Sequence, residues 1–582
     1  MADQDKGKSA TQNPKGGKQE LSMEKRLLLA FGLMGLVLLG SQYLMPTAPQ
    51  APAPKGAEQP PTPETAKAAE AAPNPGAPAA KPAARTAPAV PAVPAAALAD
   101  TEERSAITVE TGVYKVVFSN RGATIRSWTL KNYKDSNGKP VELVNLAGEA
   151  RTGRPFSYQF RNRKPSADLN NALFQARQSP GRIEFNWSDG TTSARKVFEF
   201  DPARYRTRLV SEVNEKGQIL PHMLAWRGGF GDLTAHNAVA LMHSVYYDNP
   251  SAKYFVEEAS IAKEGPVLVT GSFGFAGIED AYFAAVILPE AGLTTDFQTW
   301  MDSFQSVGSE EELPHVGVAF GTQGPLDTTL FVGPKDLDLL RQTHPRLEQL
   351  VDWGWFSFIA RPLFLFLNWF NNSYTHNWGW AIVIVTVIIN TALLPLRFSS
   401  MRSAQKMMKL QPKVQAINEK YKGVSMKDPR KQKQNEEMMA LYQSEGINPL
   451  GGCIPMLLQM PFFFAFFKVL SVAIELRGAP WLWVSDLSQP EAGMIRFLPI
   501  LMLITQVLMQ KMTPTAGGDM AQQRMMMTMM PILLAVMFYS ASSGLVLYWL
   551  TGNVVGIVQQ YFFNKLAPMS GPVQAATSKK KK

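Results

Sequence analysis

Apolar residues in the second half of the chain gather into long uninterrupted runs. The clearest run spans 378–397 and begins Trp378-Gly-Trp-Ala-Ile-Val-Ile-Val. Its length of about 20 residues matches the roughly 30 Å hydrocarbon core of a bilayer. Tryptophan side chains at one end suit the lipid–water boundary, and a basic segment follows the other end. This pattern predicts a transmembrane helix.

Other apolar runs have the same character. They span 27–45, 450–470, 497–509, 525–540 and 545–563. Together with the first run they predict a polytopic α-helical membrane domain with six transmembrane helices. For 27–45 the alternative is a cleaved signal peptide. We favour an uncleaved anchor, because the run is long for a signal peptide and Pro46 follows it where a small cleavage-site residue is expected.

Between the run 27–45 and the run 378–397 the pattern changes twice. Residues 46–104 are mostly Pro, Ala, Lys and Glu, which favours extended chain, and we interpret them as a linker. Residues 105–345 alternate polar and apolar positions at period two, as in Tyr114-Lys-Val-Val-Phe. Turn signals such as Asp135-Ser-Asn-Gly separate these segments. Many short strands of this kind predict a β-sandwich domain.

Two further segments are amphipathic. Residues 346–371 are rich in Trp and Phe but contain Arg361-Pro362, which favours a helix lying along the membrane interface. Residues 398–447 are rich in Lys and Arg, and apolar residues recur there at three- and four-residue steps between Met407 and Tyr421. That spacing predicts a helical hairpin. The alternative is a solvated charged connector.

Charge indicates how the chain is oriented. The formal net charge is +10, and the basic residues concentrate beside apolar runs, which suits a membrane protein better than a nucleic-acid binder. The positive-inside rule predicts that residues 1–26, the hairpin 398–447 and the basic tail 566–582 are cytoplasmic. Residues 46–376 then lie on the opposite side. The single cysteine, Cys453, excludes an intrachain disulfide.

The sequence contains no recognisable motif for covalent chemistry. None of the six histidines pairs with another at metal-ligand spacing, and no nucleophile elbow or phosphate loop is present. We therefore expect no enzymatic activity, no cofactor and no metal.

The apolar runs nevertheless contain amides and hydroxyls. They are Thr386, Asn390, Gln459, Thr505, Gln506, Gln510, Thr551 and Asn553. Each amide alone could bond a neighbouring helix, but the set favours a polar pocket within the bilayer. Such a pocket lowers the cost of holding a polar peptide segment part-way across the membrane. The runs lack carboxylates near their middle, which counts against ion-coupled transport.

Several motifs resemble the YidC membrane protein insertases of Gram-negative bacteria. They are Gly446-Ile-Asn-Pro-Leu-Gly-Gly-Cys-Ile-Pro455, Gln459-Met-Pro-Phe462, Glu475-Leu-Arg-Gly-Ala-Pro480, Gln510-Lys-Met-Thr-Pro514 and Ser543-Gly-Leu-Val-Leu-Tyr-Trp549. The similarity is specific over 346–565 and looser in the β-domain. It implies an insertase core at 378–565, built from five of the six helices, in the bacterial inner membrane, with the β-domain in the periplasm. The implied function is insertion and folding of nascent membrane proteins, alone or with the Sec translocon.

The resemblance also implies a groove that opens to the cytoplasm and to lipid. Its expected lining residues are Thr386, Asn390, Arg397, Gln459, Gln506, Tyr548 and Trp549. The apolar part of the substrate is expected to slide along Met460, Phe462, Phe463, Met526 and Met530. The hairpin and the basic tail are expected to approach the ribosome, and membrane lipids border the groove.

One position departs from the family pattern. Relatives usually carry a single basic residue in the groove, and alignment on Pro395-Leu396 puts Asn390 there. Arg397 follows about two helical turns later, so on a continuous helix it would lie on nearly the same face. Its side chain would then lean toward the helix N-terminus, into the membrane. The sequence leaves open whether Arg397 replaces the missing charge.

Two other functions compete with insertion. The first alternative is a small-solute transporter or channel with a periplasmic sensor domain, which an internal repeat or a pair of mid-membrane carboxylates would favour. The second is a membrane-bound enzyme. The sequence contains neither the features of the first nor a nucleophile or metal set for the second.

Overall fold

A computed structural model of the chain describes residues 97–235, 238–305, 312–423, 428–446, 454–512 and 520–566. The predicted cytoplasmic N-terminus, the anchor 27–45, most of the linker and nearly all of the basic tail lie outside these residues. The chain divides into two compact units. Residues 412–446 of the hairpin belong to one, and the β-domain and the remaining helices belong to the other.

The predicted β-domain consists of short antiparallel strands. The strands are β1 (Ile107–Glu110), β2 (Tyr114–Ser119), β3 (Thr124–Lys134), β4 (Pro140–Glu142), β5 (Ser157–Gln159), β6 (Gln175–Ser179), β7 (Arg182–Ser188), β8 (Thr192–Phe200), β9 (Arg206–Glu215), β10 (Gln218–Ile219), β11 (His222–Trp226), β12 (His243–Asp248), β13 (Lys253–Glu257), β14 (Val267–Gly271), β15 (Phe273–Glu279), β16 (Phe283–Leu288), β17 (Thr295–Gln305), β18 (Glu312–Thr322) and β19 (Leu326–Pro334). Chain N-terminal to the predicted start at residue 105 already joins the domain, since the Leu98 amide donates to the Ser188 carbonyl at 2.8 Å.

The described strands form three sheets. The smallest has the order β1-β2-β3-β4, and the largest has the order β13-β12-β15-β16-β19-β9-β8-β7-β6, with β10 paired to β9. The third has the order β14-β17-β18-β11-β5. The period-two alternation therefore predicted the strands correctly, and the domain is a β-sandwich-like arrangement of sheets.

Aromatic side chains from all three sheets meet in one core. The rings of Trp128 on β3 and Trp226 on β11 have centroids 6.3 Å apart. Phe156 lies between the sheets, with its ring 5.5 Å from Phe198 on β8 and 5.7 Å from Trp226. All four are buried. Large aromatic rings bury much apolar surface, so this cluster accounts for a large part of the cohesion between the sheets.

Two short helices lie within the predicted β-domain, and the longer helices after them follow the predicted apolar and amphipathic segments. They are α1 (Glu149–Thr152), α2 (Leu337–Thr343), α3 (Ser357–Phe370), α4 (Trp378–Ala392), α5 (Leu394–Lys420), α6 (Pro429–Ser444), α7 (Ile454–Val472), α8 (Phe497–Met512), α9 (Met520–Tyr539) and α10 (Ser543–Leu566). Helix α3 covers only the C-terminal part of the predicted segment 346–371, with Leu363 and Leu367 buried and Phe358 and Trp369 exposed.

Judged by length and hydropathy, none of the described helices could span a bilayer by itself. Helices α4 and α5 meet that criterion only as a pair, across a bend of 59°.

The bend corrects the predicted helix over 378–397. Helix α4 ends at Ala392, and Arg397 belongs to the first turn of α5. The reason is Pro395, which has no amide hydrogen to donate to the carbonyl four residues earlier, at Thr391, and whose ring crowds that carbonyl. Arg397 therefore does not lie on the same helix as Asn390. The direction of its side chain follows from its contacts, which are described below.

The predicted hairpin is present as the C-terminal part of α5 and as α6. Lys420 and the Tyr421 hydroxyl both bond the Glu437 carboxylate, at 2.6 and 2.9 Å. The side-chain amide of Gln434 donates to Asn418 at 2.7 Å. Gln434, Tyr421 and Tyr442 are buried. These contacts join two antiparallel helices through polar side chains and a small apolar seam.

Candidate functional site

Arg397 is the centre of a group of polar side chains among apolar helices. Its Nη1 donates to Gln559 Oε1 on α10 at 2.7 Å, and its Nη2 lies 3.5 Å from Gln459 Oε1 on α7. The side chain therefore points inward, toward α7 and α10. We define the polar cluster as Asn390, Arg397, Gln459, Tyr548 and Gln559.

Asn390 joins the cluster through its backbone. Its side-chain amide donates to the Thr386 carbonyl on the same helix at 2.8 Å, while its own carbonyl accepts from Gln559 Nε2 at 3.2 Å. Both Asn390 and Thr386 are buried. Among the described residues, the Thr386 hydroxyl has no hydrogen-bond partner. The structure thus brings Asn390 to the cluster, with its side chain bound to its own helix.

Tyr548 closes the cluster on the α10 side. Its ring stacks on Phe466 of α7 with centroids 4.1 Å apart. The side chain is 6% exposed. The stacking fixes the ring against α7, the helix that carries Gln459.

The guanidinium of Arg397 is hydrogen bonded to neutral side chains. Its described hydrogen-bond partners are amide oxygens, and no described carboxylate forms an ion pair with it. An unneutralised cation in apolar surroundings is costly, and its field is screened less than at an open surface. Such a group can attract an acidic or strongly polar segment that approaches it.

Gln506 and Trp549 form a second contact, apart from the polar cluster. The indole Nε1 of Trp549 donates to Gln506 Oε1 at 3.2 Å, joining α10 to α8. The Trp549 ring also packs against Phe463 at 5.1 Å and Phe538 at 5.0 Å. Tyr548 and Trp549 are adjacent in sequence, so they point to different faces of α10 and contribute to different contacts.

The residues expected along the substrate path differ in exposure. Phe463 is buried, whereas Met460 and Phe462 are half-buried. The side chains of Met526 and Met530 lie outside the described residues. A described apolar stripe on α9 is exposed instead, at Met529, Ile532, Leu533 and Val536. Their spacing of three and four residues puts them on one helix face.

Sequence reasoning missed Gln559. It follows Tyr548 by three helical turns, a spacing that returns a helical residue to nearly the same face. An amide at that spacing from Tyr548 was the signal available in the sequence.

Comparison with known proteins covers both halves of the chain. The family model described as YidC periplasmic domain matches residues 106–366, and the one described as 60Kd inner membrane protein matches residues 369–570. A membrane protein insertase YidC from Syntrophus aciditrophicus is 34% identical over 490 residues, covering 80% of this chain and 86% of the relative. One from Pelobacter propionicus is 33% identical over 495 residues, covering 81% of this chain and 88% of the relative.

A solved structure is also similar. The crystal structure of an active YidC insertase with its first transmembrane domain resolved matches 80% of this chain and 95% of its own. The sequence identity is 18% and the TM-score is 0.34. Both family models and the identity to full-length relatives agree: the chain belongs to the YidC family of membrane protein insertases.

Proposed function

We propose that this chain inserts and folds nascent inner-membrane proteins by receiving their polar segments at the polar cluster. The observation that carries the proposal is Arg397, an inward-pointing cation held by neutral amides of Gln459 and Gln559. A polar segment that enters the apolar part of the membrane needs hydrogen-bond partners there. The cluster offers them without any covalent chemistry.

The exposed apolar stripe of α9 supports a second part of the proposal. A hydrophobic substrate helix gains no burial from a polar cluster, but it can pack against Met529, Ile532 and Val536 on its way to lipid. Methionine suits varied apolar partners because its side chain is flexible. Phe462 on α7 borders this route in the proposal, while the buried Phe463 supports Trp549.

Charge and family membership support the partners that we propose. The basic hairpin and the basic tail suit an approach to the ribosome, whose RNA is polyanionic. The Sec translocon is the proposed neighbour during insertion of longer substrates, and membrane lipids contact α9. The exposed Trp369 and Phe358 of α3 suit the membrane interface.

Photocrosslinking tests the proposal directly. A photoreactive residue in place of Gln459 should crosslink ribosome-bound nascent membrane proteins, because the side chain borders Arg397. The matched control is Val558, which is exposed on α10 beside Gln559 but faces away from the cluster. Equal crosslinking from 459 and 558, or none from 459, contradicts the proposed route.

Thiol labelling tests the proposed topology. In a Cys453→Ser background, Asn137→Cys in the turn after β3 should react with an impermeant reagent in intact cells, because we place the β-domain in the periplasm. Ser425→Cys in the hairpin should react only after the cells are opened. Labelling of position 425 in intact cells would overturn the orientation.

A further inference from the structure

The segment between α7 and α8, residues 473–496, contacts the ends of several helices. We call it the α7–α8 segment. At the start of α4, the Asn377 side chain donates to the Pro480 carbonyl at 2.9 Å, and at the start of α10 the Ser543 and Gly544 amides donate to the Gln489 and Leu487 carbonyls, both at 2.8 Å. At the end of α9, the Tyr539 hydroxyl donates to the Met494 carbonyl at 2.7 Å. At the start of α8, the Leu498 amide donates to the Glu491 carboxylate at 2.8 Å. One segment therefore bonds the ends of four helices, α4, α8, α9 and α10.

The same segment is bound to the β-domain through Arg477. Its guanidinium bonds the Asp232 carboxylate, and its Nη2 and Nε donate to the Lys134 carbonyl at 2.9 and 3.2 Å. The guanidinium also lies over the rings of Tyr282 and Phe283, 5.3 and 5.4 Å from their centroids. We call these four partners the Arg477 pocket. Hydrogen bonds, opposite charge and cation–π attraction all act on one side chain.

The β-domain builds the Arg477 pocket from its own residues. The Asp280 carboxylate accepts from the amides of Asp232, Tyr282 and Phe283, at 2.9, 2.8 and 2.6 Å. Gly231 has a φ of 93°, and a Cβ there would come within 2.0 Å of Asp280. The close approach requires glycine. Asp280 thus positions the backbone of Asp232, Tyr282 and Phe283, whose side chains contact the arginine.

Burial makes this contact specific for arginine. The Arg477 side chain is 5% exposed and that of Asp232 is 2% exposed. A buried ion pair is strongly disrupted when one partner is removed, because the other charge is left without compensation. Two nitrogens of the planar fork, Nε and Nη2, bond the Lys134 carbonyl while Nη2 also bonds the carboxylate, and a single ammonium nitrogen cannot reproduce this arrangement.

A neighbouring group is adapted to the same contact. Burial, with Asp336 and Asp338 nearby, raises the pKa of Glu475 to about 8. Near neutral pH this carboxyl therefore keeps its proton. The segment then meets the acidic residues of the β-domain without a like-charge repulsion.

We propose that Arg477 is a positioning residue through which the β-domain holds the α7–α8 segment, and with it the ends of the four helices that the segment bonds, in place. In this assignment the β-domain stabilises the arrangement of those helix ends. It rests on the contacts of Arg477 and of the segment, and it is independent of what the polar cluster receives.

Hydrogen exchange of the purified full chain tests the assignment. Arg477→Met and Asp232→Asn should each speed amide exchange at 473–488 by about tenfold, because local opening exposes those amides more often. The double variant should be no faster than either single variant, since both remove the same contact. Arg477→Lys keeps the charge but loses the fork, so it should restore part of the protection.

The matched control is Arg496→Met, an arginine of the same segment that contacts Tyr539 instead of the β-domain. It should leave exchange at 473–488 unchanged. Unchanged exchange in Arg477→Met, or additive effects in the double variant, overturns the assignment. If the Arg477→Met protein does not accumulate, Arg477→Lys tests the assignment instead. Wild-type protection at 473–488 in Arg477→Lys also overturns the assignment. Exchange is measured without substrate, so its result is separate from insertion activity.

Discussion

Arg397→Gln is expected to lower insertion of a substrate with an acidic translocated segment by about tenfold, and to affect a matched neutral substrate much less. Tenfold corresponds to about 1.4 kcal/mol, at the lower end of what a charge-assisted hydrogen bond contributes. The physical reason is that Arg397 is held by the amide oxygens of Gln459 and Gln559, which leave its charge uncompensated. The measurement is insertion in cells depleted of the native protein.

Two variants make this result interpretable. Arg402→Gln removes the same charge from an exposed position of α5 and should leave both substrates near wild-type insertion. Asn390→Arg in the Arg397→Gln background places a cation beside Gln559 and should restore the acidic substrate. If Arg397→Gln inserts both substrates normally, Arg397 serves only to orient the helix, and the polar cluster acts without a fixed charge.

Lys196→Met is expected to destabilise the β-domain by about 3 kcal/mol, since it strips a buried charged donor from its acceptors. Lys196 is fully buried on β8. Its Nζ donates to the carbonyls of Gly122, Ala123 and Phe156, at 2.9, 3.2 and 2.6 Å, and lies 3.8 Å from the centroid of the Tyr158 ring. Methionine fills a similar volume but bonds none of the three carbonyls.

The backbone around Lys196 explains why the loss is large. All three carbonyls belong to residues with positive φ, at 67° for Gly122, 49° for Ala123 and 66° for Phe156. For alanine and phenylalanine this conformation costs of order 1 kcal/mol or more each. The ammonium therefore stabilises two strained turns as well as itself. Burial lowers its pKa well below the usual value for lysine.

Native-state hydrogen exchange on β2, β3 and β8 measures the effect as a change in the free energy of opening. The control is Lys115→Met, which changes an exposed lysine of β2 to the same residue and should shift that free energy by no more than about 0.5 kcal/mol. A Lys196→Met chain with wild-type protection would show that the turns hold their conformation without the ammonium.

The strands and helices were largely predictable because their patterns are local. Alternation at period two marked β1, β2, β3 and β8, and the apolar runs marked α7 to α10. The break before Arg397 was not predicted, because the helix was extended through Pro395 on apolar character alone. The burial of Lys196 was not predicted either. Strand β8 lies inside the largest sheet, where both faces are covered, so alternation no longer separates buried from exposed positions.

The sequence indicated individual polar side chains of the candidate site but not how they are arranged. Amides in apolar helices pointed to Asn390, Gln459 and Gln506, but their bonding depends on which helices are neighbours. The sequence therefore could not separate the Gln506–Trp549 contact from the polar cluster. The Arg477 pocket could not be recognised for the same reason, since its partners come from three distant parts of the chain, at Lys134, at Asp232 and at Tyr282 and Phe283.

The attachment of Arg477 also sets an order of assembly. Asp232 and Arg477 are separated by 245 residues. Synthesis proceeds from the N-terminus and domains fold as units, so the β-domain, whose last strand ends at Pro334, is complete well before Arg477 leaves the ribosome. The entropy of closing such a long loop grows only slowly with its length. The newly made arginine thus meets a finished pocket, and the ends of α8, α9 and α10 are made next to a segment that is already docked.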